Sequence, residues 1–217
     1  SIFHLKSESN IGSVILKGLT FVYNVHGNLY INLTNRCPCN CTFCIRHNGD
    51  SAYGSDSLWL EREPTNEEVL AEFDKYSPDE FDEIVFCGYG WAMERAEDVV
   101  FIGKELKKRY PHKIIRLNTN GLSDKIHGRP TAAMLEGAVD IVSISLNSGN
   151  EKDYNAVTRP KWEDSFSALL SFAQDCKKYV PQVMFTVVDV ISEREIEESK
   201  EISERLGIPL RIRKYDT

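Results

Sequence analysis

Four cysteines fall within eight residues, at Cys37, Cys39, Cys41 and Cys44 of the segment NLTNRCPCNCTFCIRHNGD. Thiolates crowded in this way bind soft metal centres, above all iron–sulfur clusters and zinc. Three thiolates on one loop, in the spacing Cys37-x3-Cys41-x2-Cys44, can hold three corners of a four-iron cube. The fourth iron is then open to a small molecule. Cys39 lies too close to its neighbours to be required, and its presence leaves the register ambiguous. A structural zinc site wants two separated ligand pairs, and here His47 is the only further ligand nearby. A simple electron carrier with all four cysteines bound is a third reading, although four ligands in eight residues are cramped. The two other cysteines, Cys87 and Cys176, stand alone and read as small buried apolar residues. His47 and His127 read as ordinary surface histidines.

The cysteine segment needs a scaffold, and the hydrophobic pattern supplies one. Apolar runs predict strands over 28–34, 83–87, 113–118, 140–146, 182–190 and 208–214. Helical patterns fall between them, near 66–76, 96–110, 131–137, 162–179 and 192–206. Thr65 followed by Glu68 makes a capping box for the first helix, and Gly207 with Pro209 stops the last. Strands alternating with helices imply βαβ units and a parallel sheet. Six strands are too few for a closed eight-fold barrel, which leaves an open partial barrel or a doubly wound sheet.

Strand parity chooses between them, because alternate residues point to opposite faces. Val142, Ile144 and Leu146 oppose Ser143, Ser145 and Asn147. Ile115 and Leu117 oppose Arg116, Asn118 and Asn120. Leu29, Ile31 and Leu33 oppose Asn32 and Thr34, and Leu210 and Ile212 oppose Arg211 and Arg213. A sheet buried on both faces would be nearly continuously apolar. One apolar and one polar face fit helices outside and a wet lumen inside; a sheet with one solvent-exposed face is the plainer alternative. The expectation is therefore an α/β fold, an open partial (β/α)6 TIM-like barrel with parallel strands. It would form a single domain over 1–217, with 1–27 as an N-terminal extension and 28–217 as the partial barrel. The cysteine loop follows the first strand, at the C-terminal mouth where α/β sites gather.

Composition narrows the function classes. The chain has 217 residues, 41% hydrophobic and 27% charged, with a net charge of -7. A negative chain is a poor match to phosphate-backbone recognition, so a nucleic-acid partner is not expected. No run of about 18 apolar residues is present, so no membrane span is expected either. The start, SIFHLKSESN, lacks the layout of a secretory signal. Crowded cysteines without an export signal point to a reducing, cytoplasmic compartment. The run EREIEESKEISER, residues 193–205, reads as a solvated helix face with i,i+4 charge pairs.

Cys-x3-Cys-x2-Cys after the first strand, with the aromatic Phe43 just before the last cysteine, resembles the radical SAM superfamily. The resemblance covers nearly the whole chain. LNTNG (117–121) and SISLNS (143–148) sit where that family places contacts to S-adenosylmethionine (SAM). The wider string LYINLTNRCPCNCTFCIR, with IVFCGYG after it, is similar to the small TatD-associated radical SAM proteins. The resemblance implies a 4Fe–4S cluster on Cys37, Cys41 and Cys44, with SAM on the open iron. It implies one electron from a small donor protein such as flavodoxin or ferredoxin. Reductive cleavage of SAM to a 5′-deoxyadenosyl radical would then abstract hydrogen from a substrate that the resemblance does not identify.

The same resemblance points to Phe43, Gly88, Tyr89, Gly90, Trp91, Asn118, Asn120, Ser145 and Asn147 as candidate SAM contacts, and Arg213, on the polar face of its strand, is a candidate for the SAM carboxylate. Arg116, Arg159 and Arg211 are candidates for holding an anionic substrate. One segment departs from the family. Where it usually reads Gly-Glu-Pro, with the Glu at the SAM ammonium group, this chain has Trp91 and Ala92. Backbone carbonyls around Gly88–Trp91 would have to replace that carboxylate. Glu94 is the nearest alternative, at the wrong spacing. An iron–sulfur protein that has lost SAM chemistry is the reading this departure favours, with a zinc-binding interaction module as a third class.

Overall fold

The computed structural model describes residues 19–39 and 58–215. Among the described residues seven strands lie in one sheet in sequence order: β1 (Val22–Val25), β2 (Asn28–Ile31), β3 (Glu83–Phe86), β4 (Ile114–Thr119), β5 (Ile141–Ser145), β6 (Gln182–Val188) and β7 (Leu210–Arg213). From β2 to β7 every neighbouring pair is parallel. The six expected strands are thus present, and the sheet is unclosed.

The addition is β1. It pairs antiparallel with β2 through a two-residue turn at His26 and Gly27, whose φ angles are 51° and 82°. Two positive φ values twist a short turn in the sense a hairpin needs. Val22–Val25, within the stretch expected as an N-terminal extension, therefore add a strand to the sheet on the β2 side.

The helices are α1 (Asn66–Phe73), α2 (Ala96–Arg109), α3 (Ser123–His127), α4 (Glu151–Thr158), α5 (Ser165–Tyr179) and α6 (Glu193–Leu206). The capping box of α1 is formed: Thr65 Oγ1 accepts from Glu68 N, and Glu68 accepts from Thr65 N. Gly207 closes α6 at φ 65°. The helix expected over 131–137 is a correction. Only Ala132–Leu135 form a short 3-10 turn. Gly137 at φ 76° stops the chain two residues beyond it, so the segment is too short for regular α-helical turns. Two short helices, α3 and α4, were not anticipated. α3 has five residues, and α4 buries Tyr154 and Thr158 rather than a row of aliphatic residues, so neither shows a periodic apolar stripe.

The parity reading describes one face well. Leu29, Ile31, Ile84, Phe86, Ile115, Leu117, Val142, Ile144, Phe185 and Val187 are fully buried in one core cluster with helix residues such as Val99, Leu106, Leu169 and Phe172. The opposite face carries Tyr30, Arg116, Asn118, Ser143, Met184 and Thr186, placed side by side by the register. Two long-range links show that this face is concave. Arg116 on β4 reaches Met184 on β6 across β5, with Nη1 3.5 Å from Sδ. Arg213 on β7 acts electrostatically on Tyr30 of β2 and on Cys87 just after β3. β2 and β7 stand at opposite ends of the parallel sheet, and Arg213 comes within electrostatic range of Tyr30 only if the sheet curls. No helix among the described residues is long and apolar enough to cross a membrane.

Candidate functional site

The run-up to the cysteines is held by bonds from four other segments. Arg95 Nη1 donates to Leu33 O at 3.1 Å, and Gly90 N donates to Thr34 O at 3.0 Å. Asn35 exchanges two bonds with Leu60, at 2.8 and 2.9 Å. Trp91 N donates to Arg36 O at 2.9 Å, and Lys161 N donates to Pro38 O at 3.1 Å. Backbone carbonyls of Leu33, Thr34, Arg36 and Pro38 and the side chain of Asn35 are thus held in place. A metal ligand needs such fixing, because its geometry must be set before binding. Cys37 is partly buried, and its Sγ lies 3.5 Å from Cys39 O. Cys39 packs against the edge of the core. Cys41, Cys44, Phe43 and His47 lie outside the described residues. Among the described residues no three His, Cys, Asp or Glu side chains converge on a metal position.

The glycines after β3 are there for close approach. A Cβ on Gly90 would lie 2.4 Å from Thr34 O, 2.6 Å from Arg36 N and 2.6 Å from Asn35 C. One on Gly88 would lie 2.0 Å from Asn32 Oδ1. The segment Gly88–Trp91 thus runs against the chain just before Cys37, as a cradle any side chain would spoil. Tyr89 turns away. Its ring packs edge-on against Trp59 at 5.0 Å, within the small cluster of Tyr23, Val25 and Leu58. Any contact of Tyr89 to a ligand therefore falls to its backbone. Trp91 is partly buried and opens a 3-10 turn, Ala92–Arg95. Glu94, in that turn, is mostly buried with Oε2 4.0 Å from Arg36 Nη1, so a guanidinium already faces its carboxylate.

On the concave face, Asn118 hydrogen-bonds the thiol of Cys87, and Tyr23 OH donates to Cys87 O at 2.9 Å. Cys87 was expected as an apolar filler, but its thiol faces this polar surface. Burial pushes that thiol up, and the bonds from Asn118 and Tyr23, with the charge of Arg213, only partly oppose it. Burial raises Tyr30 in the same way.

Ser145 ends β5, partly buried. Asn147 is buried at φ 66°, uncommon for a non-glycine residue. Asn120 is buried, and its Oδ1 accepts from Leu122 N at 3.0 Å. Its Nδ2 finds no partner among the described residues.

The arginines separate. Arg116 is committed to Glu83, at 2.9 Å, besides Met184. Arg159 is exposed at the C-terminal cap of α4, at φ 46°, two residues before the Lys161–Pro38 contact. It therefore stands close to the cysteine run. Arg211 and Arg213 are exposed on β7 and make no ion pair among the described residues. His127, expected as a surface residue, is partly buried with Nε2 2.7 Å from Met93 O.

Asn35, Leu60 and Arg95 were missed as supports of the site. Each contributes a contact 25 to 62 residues away in sequence, which no local spacing reveals.

Residues 31–202 match the family model of the Radical SAM superfamily. Solved structures of low identity share the fold. SuiB of Streptococcus suis bound to precursor peptide SuiA aligns with 14% identity, over 88% of this chain and 39% of its own, at a TM-score of 0.63. Methylornithine synthase (PylB) aligns with 11% identity, over 87% and 53%, at 0.59. Native anSMEcpe with bound AdoMet aligns with 16% identity, over 86% and 50%, at 0.58. The chain spans about half the length of these proteins or less. Among curated proteins none matches it. The matched stretch covers most of the chain and runs from β2, which leads into the cysteine run, to α6, so the chain belongs to the radical SAM superfamily.

Proposed function

We propose that this protein is a radical SAM iron–sulfur enzyme, with Cys37, Cys41 and Cys44 as ligands of a 4Fe–4S cluster. The observation that carries the reading is the fixed run Leu33–Pro38. It presents Cys37 at the C-terminal end of the first parallel strand, against the Gly88–Trp91 cradle. The residues present fit both groups. A thiol lies at the strand exit, a backbone segment with glycines at positions 88 and 90 runs beside it, and carboxamides and a hydroxyl stand at the ends of β4 and β5. When bound, the cluster supplies one electron and SAM supplies the 5′-deoxyadenosyl group that takes hydrogen from substrate.

The chain's own residues then divide the work. Carbonyls of Gly88–Trp91 accept from the SAM ammonium group. Phe43 would be the aromatic beside the adenine. Asn118, Asn120, Ser145 and Asn147 bond the nucleoside, and Arg213 faces the carboxylate. Arg211 and Arg159 are left to attract an anionic substrate. Arg116, paired with Glu83, would receive an anion only in competition with that carboxylate. The electron donor is a small flavodoxin- or ferredoxin-like protein, the setting is the cytoplasm, and the subgroup is that of the TatD-associated radical SAM proteins.

Trp91 favours a second reading, an iron–sulfur protein without SAM chemistry, because an indole cannot accept a hydrogen bond. The deciding experiment is anaerobic purification with iron, sulfide and zinc analysis, followed by SAM and dithionite. Formation of 5′-deoxyadenosine is expected. Iron without deoxyadenosine supports the second reading, and zinc in place of iron overturns both.

A further inference from the structure

The loop after β5 is held in a conformation it would not adopt alone. Ser148 N donates to Leu146 O at 2.8 Å, closing a three-residue turn around Asn147 at φ 66°. Such turns with a positive central φ are rare and strained. They persist where the surroundings over-determine them. Here the surroundings are the first two turns of α6. Ser148, fully buried, donates from Oγ to Glu195 Oε1 at 2.7 Å. Gly149 is pressed on the helix so closely that a Cβ would lie 2.6 Å from Glu195 O and 2.4 Å from Glu198 Cβ. Asn150 donates from Nδ2 to Glu198 Oε2 at 2.8 Å, while its Oδ1 caps α4 by accepting from Asp153 N.

Glu195 is unusual in its own right. It belongs to the acidic run expected to be a solvated face, yet it is only 9% exposed. Its other oxygen, Oε2, completes the α6 capping box with Ser192 N at 2.9 Å and Ser192 Oγ at 3.0 Å. One carboxylate thus joins a helix cap to the loop that carries Asn147. Capping alone would not require a buried residue, since capping boxes work on exposed ends.

We propose that Glu195 is a positioning residue for the cofactor, fixing the turn at Asn147 through Ser148 so that the Asn147 carboxamide meets SAM. This rests on the reading of Asn147 as a SAM contact given above. The role is indirect: the buried side chains of Ser148 and Glu195 bond each other and shape the loop.

The test uses two variants that each remove one bond to the same carboxylate. Ser148→Ala removes the loop bond and leaves the capping box. Ser192→Ala removes the hydroxyl bonds of the cap and leaves the loop. Each should lower Tm by about 2–4 °C, which makes them matched controls. SAM binding to the anaerobically reconstituted protein, measured by equilibrium dialysis, should weaken about tenfold in Ser148→Ala and stay unchanged in Ser192→Ala. Glu195→Gln, which retains a partner for Ser148, should keep more affinity than Glu195→Ala. Wild-type affinity in Ser148→Ala, or equal losses in the two serine variants, would overturn the inference while SAM binding by the parent upholds the functional reading. Failure of the cluster-loaded parent to bind SAM overturns that reading, and the inference with it.

Discussion

Gly90→Ala is the sharpest perturbation of the site, because its cost can be worked from the geometry. The new methyl would sit 2.4 Å from Thr34 O, 2.6 Å from Arg36 N and 2.6 Å from Asn35 C. All three are backbone atoms, so no flexible side chain can move aside. Gly90 has no left-handed φ, and the penalty is therefore steric alone. Relief requires the Gly88–Trp91 segment to part from residues 34–36. That parting weakens the bonds Gly90 N to Thr34 O and Trp91 N to Arg36 O. Two bonds at about 1 kcal/mol each, with strain of about 1–2 kcal/mol, give a loss of about 3–4 kcal/mol. For a chain of this size the Tm should fall by about 6–16 °C.

The same parting shifts Cys37, so iron retained after anaerobic reconstitution should fall as well. Gly27→Ala is the control. It carries φ 82° in the β1–β2 turn with nothing near its Cβ position. Forcing an alanine into the left-handed region costs about 1–2 kcal/mol at a place remote from the cysteines, so iron content should stay at the parent level. Iron and Tm both unchanged in Gly90→Ala would refute the claim that the cradle fixes the cysteine run.

Three further outcomes are expected. Cys37→Ala, Cys41→Ala and Cys44→Ala should each lose the four-iron absorbance and EPR signal anaerobically, and Cys39→Ala should keep it; the reverse for Cys37 and Cys39 would change the register. Trp91→Glu with Ala92→Pro should tighten SAM binding by roughly ten- to a hundredfold if the missing carboxylate is the weakness, since a charge-assisted bond contributes about 1.5–3 kcal/mol. Unchanged affinity with tight binding in the parent would show that another group already holds the ammonium. Glu68, hydrogen-bonded by Arg62 and by Thr65 N, is drawn down from its ordinary value of 4.5 to about 2. Its contribution to α1 is thus present above pH 4.5 and lost as pH falls toward 2. The Tm gap between the parent and Glu68→Gln should close over that window, and a constant gap would count against the pairing.

How far the site could be read from sequence depends on which contacts make it. The faces of β4 and β5 were legible because alternation is a local property: Ile115 and Leu117, or Val142 and Ile144, are fully buried where parity put them. The hairpin strand β1 was hidden because its turn uses His26 at φ 51°, where Asn or Asp before Gly is the recognisable signal. Cys87 looked like filler because nothing local says that Asn118 and Arg213, 31 and 126 positions onward, share its surface.

Glu195 shows the same limit with more consequence. In the string EREIEESKEISER every acid looks solvated, and only the docking of Ser148 and Gly149 distinguishes one. Sequence spacing nominates groups to touch a cofactor, because chemistry fixes their intervals. It does not find the groups that hold those side chains in place, whose intervals are set by the fold. At the cysteine run the holders come from Leu60, Gly90, Trp91, Arg95 and Lys161, and at Asn147 from the start of α6. The Lys161–Pro38 bond joins the two halves, since residue 161 links α4 to α5 while residue 38 lies inside the cysteine segment. On the proposed function a cofactor would draw on both. Truncating one polar side chain weakens binding by a single hydrogen bond, whereas displacing a whole half weakens every bond that half makes.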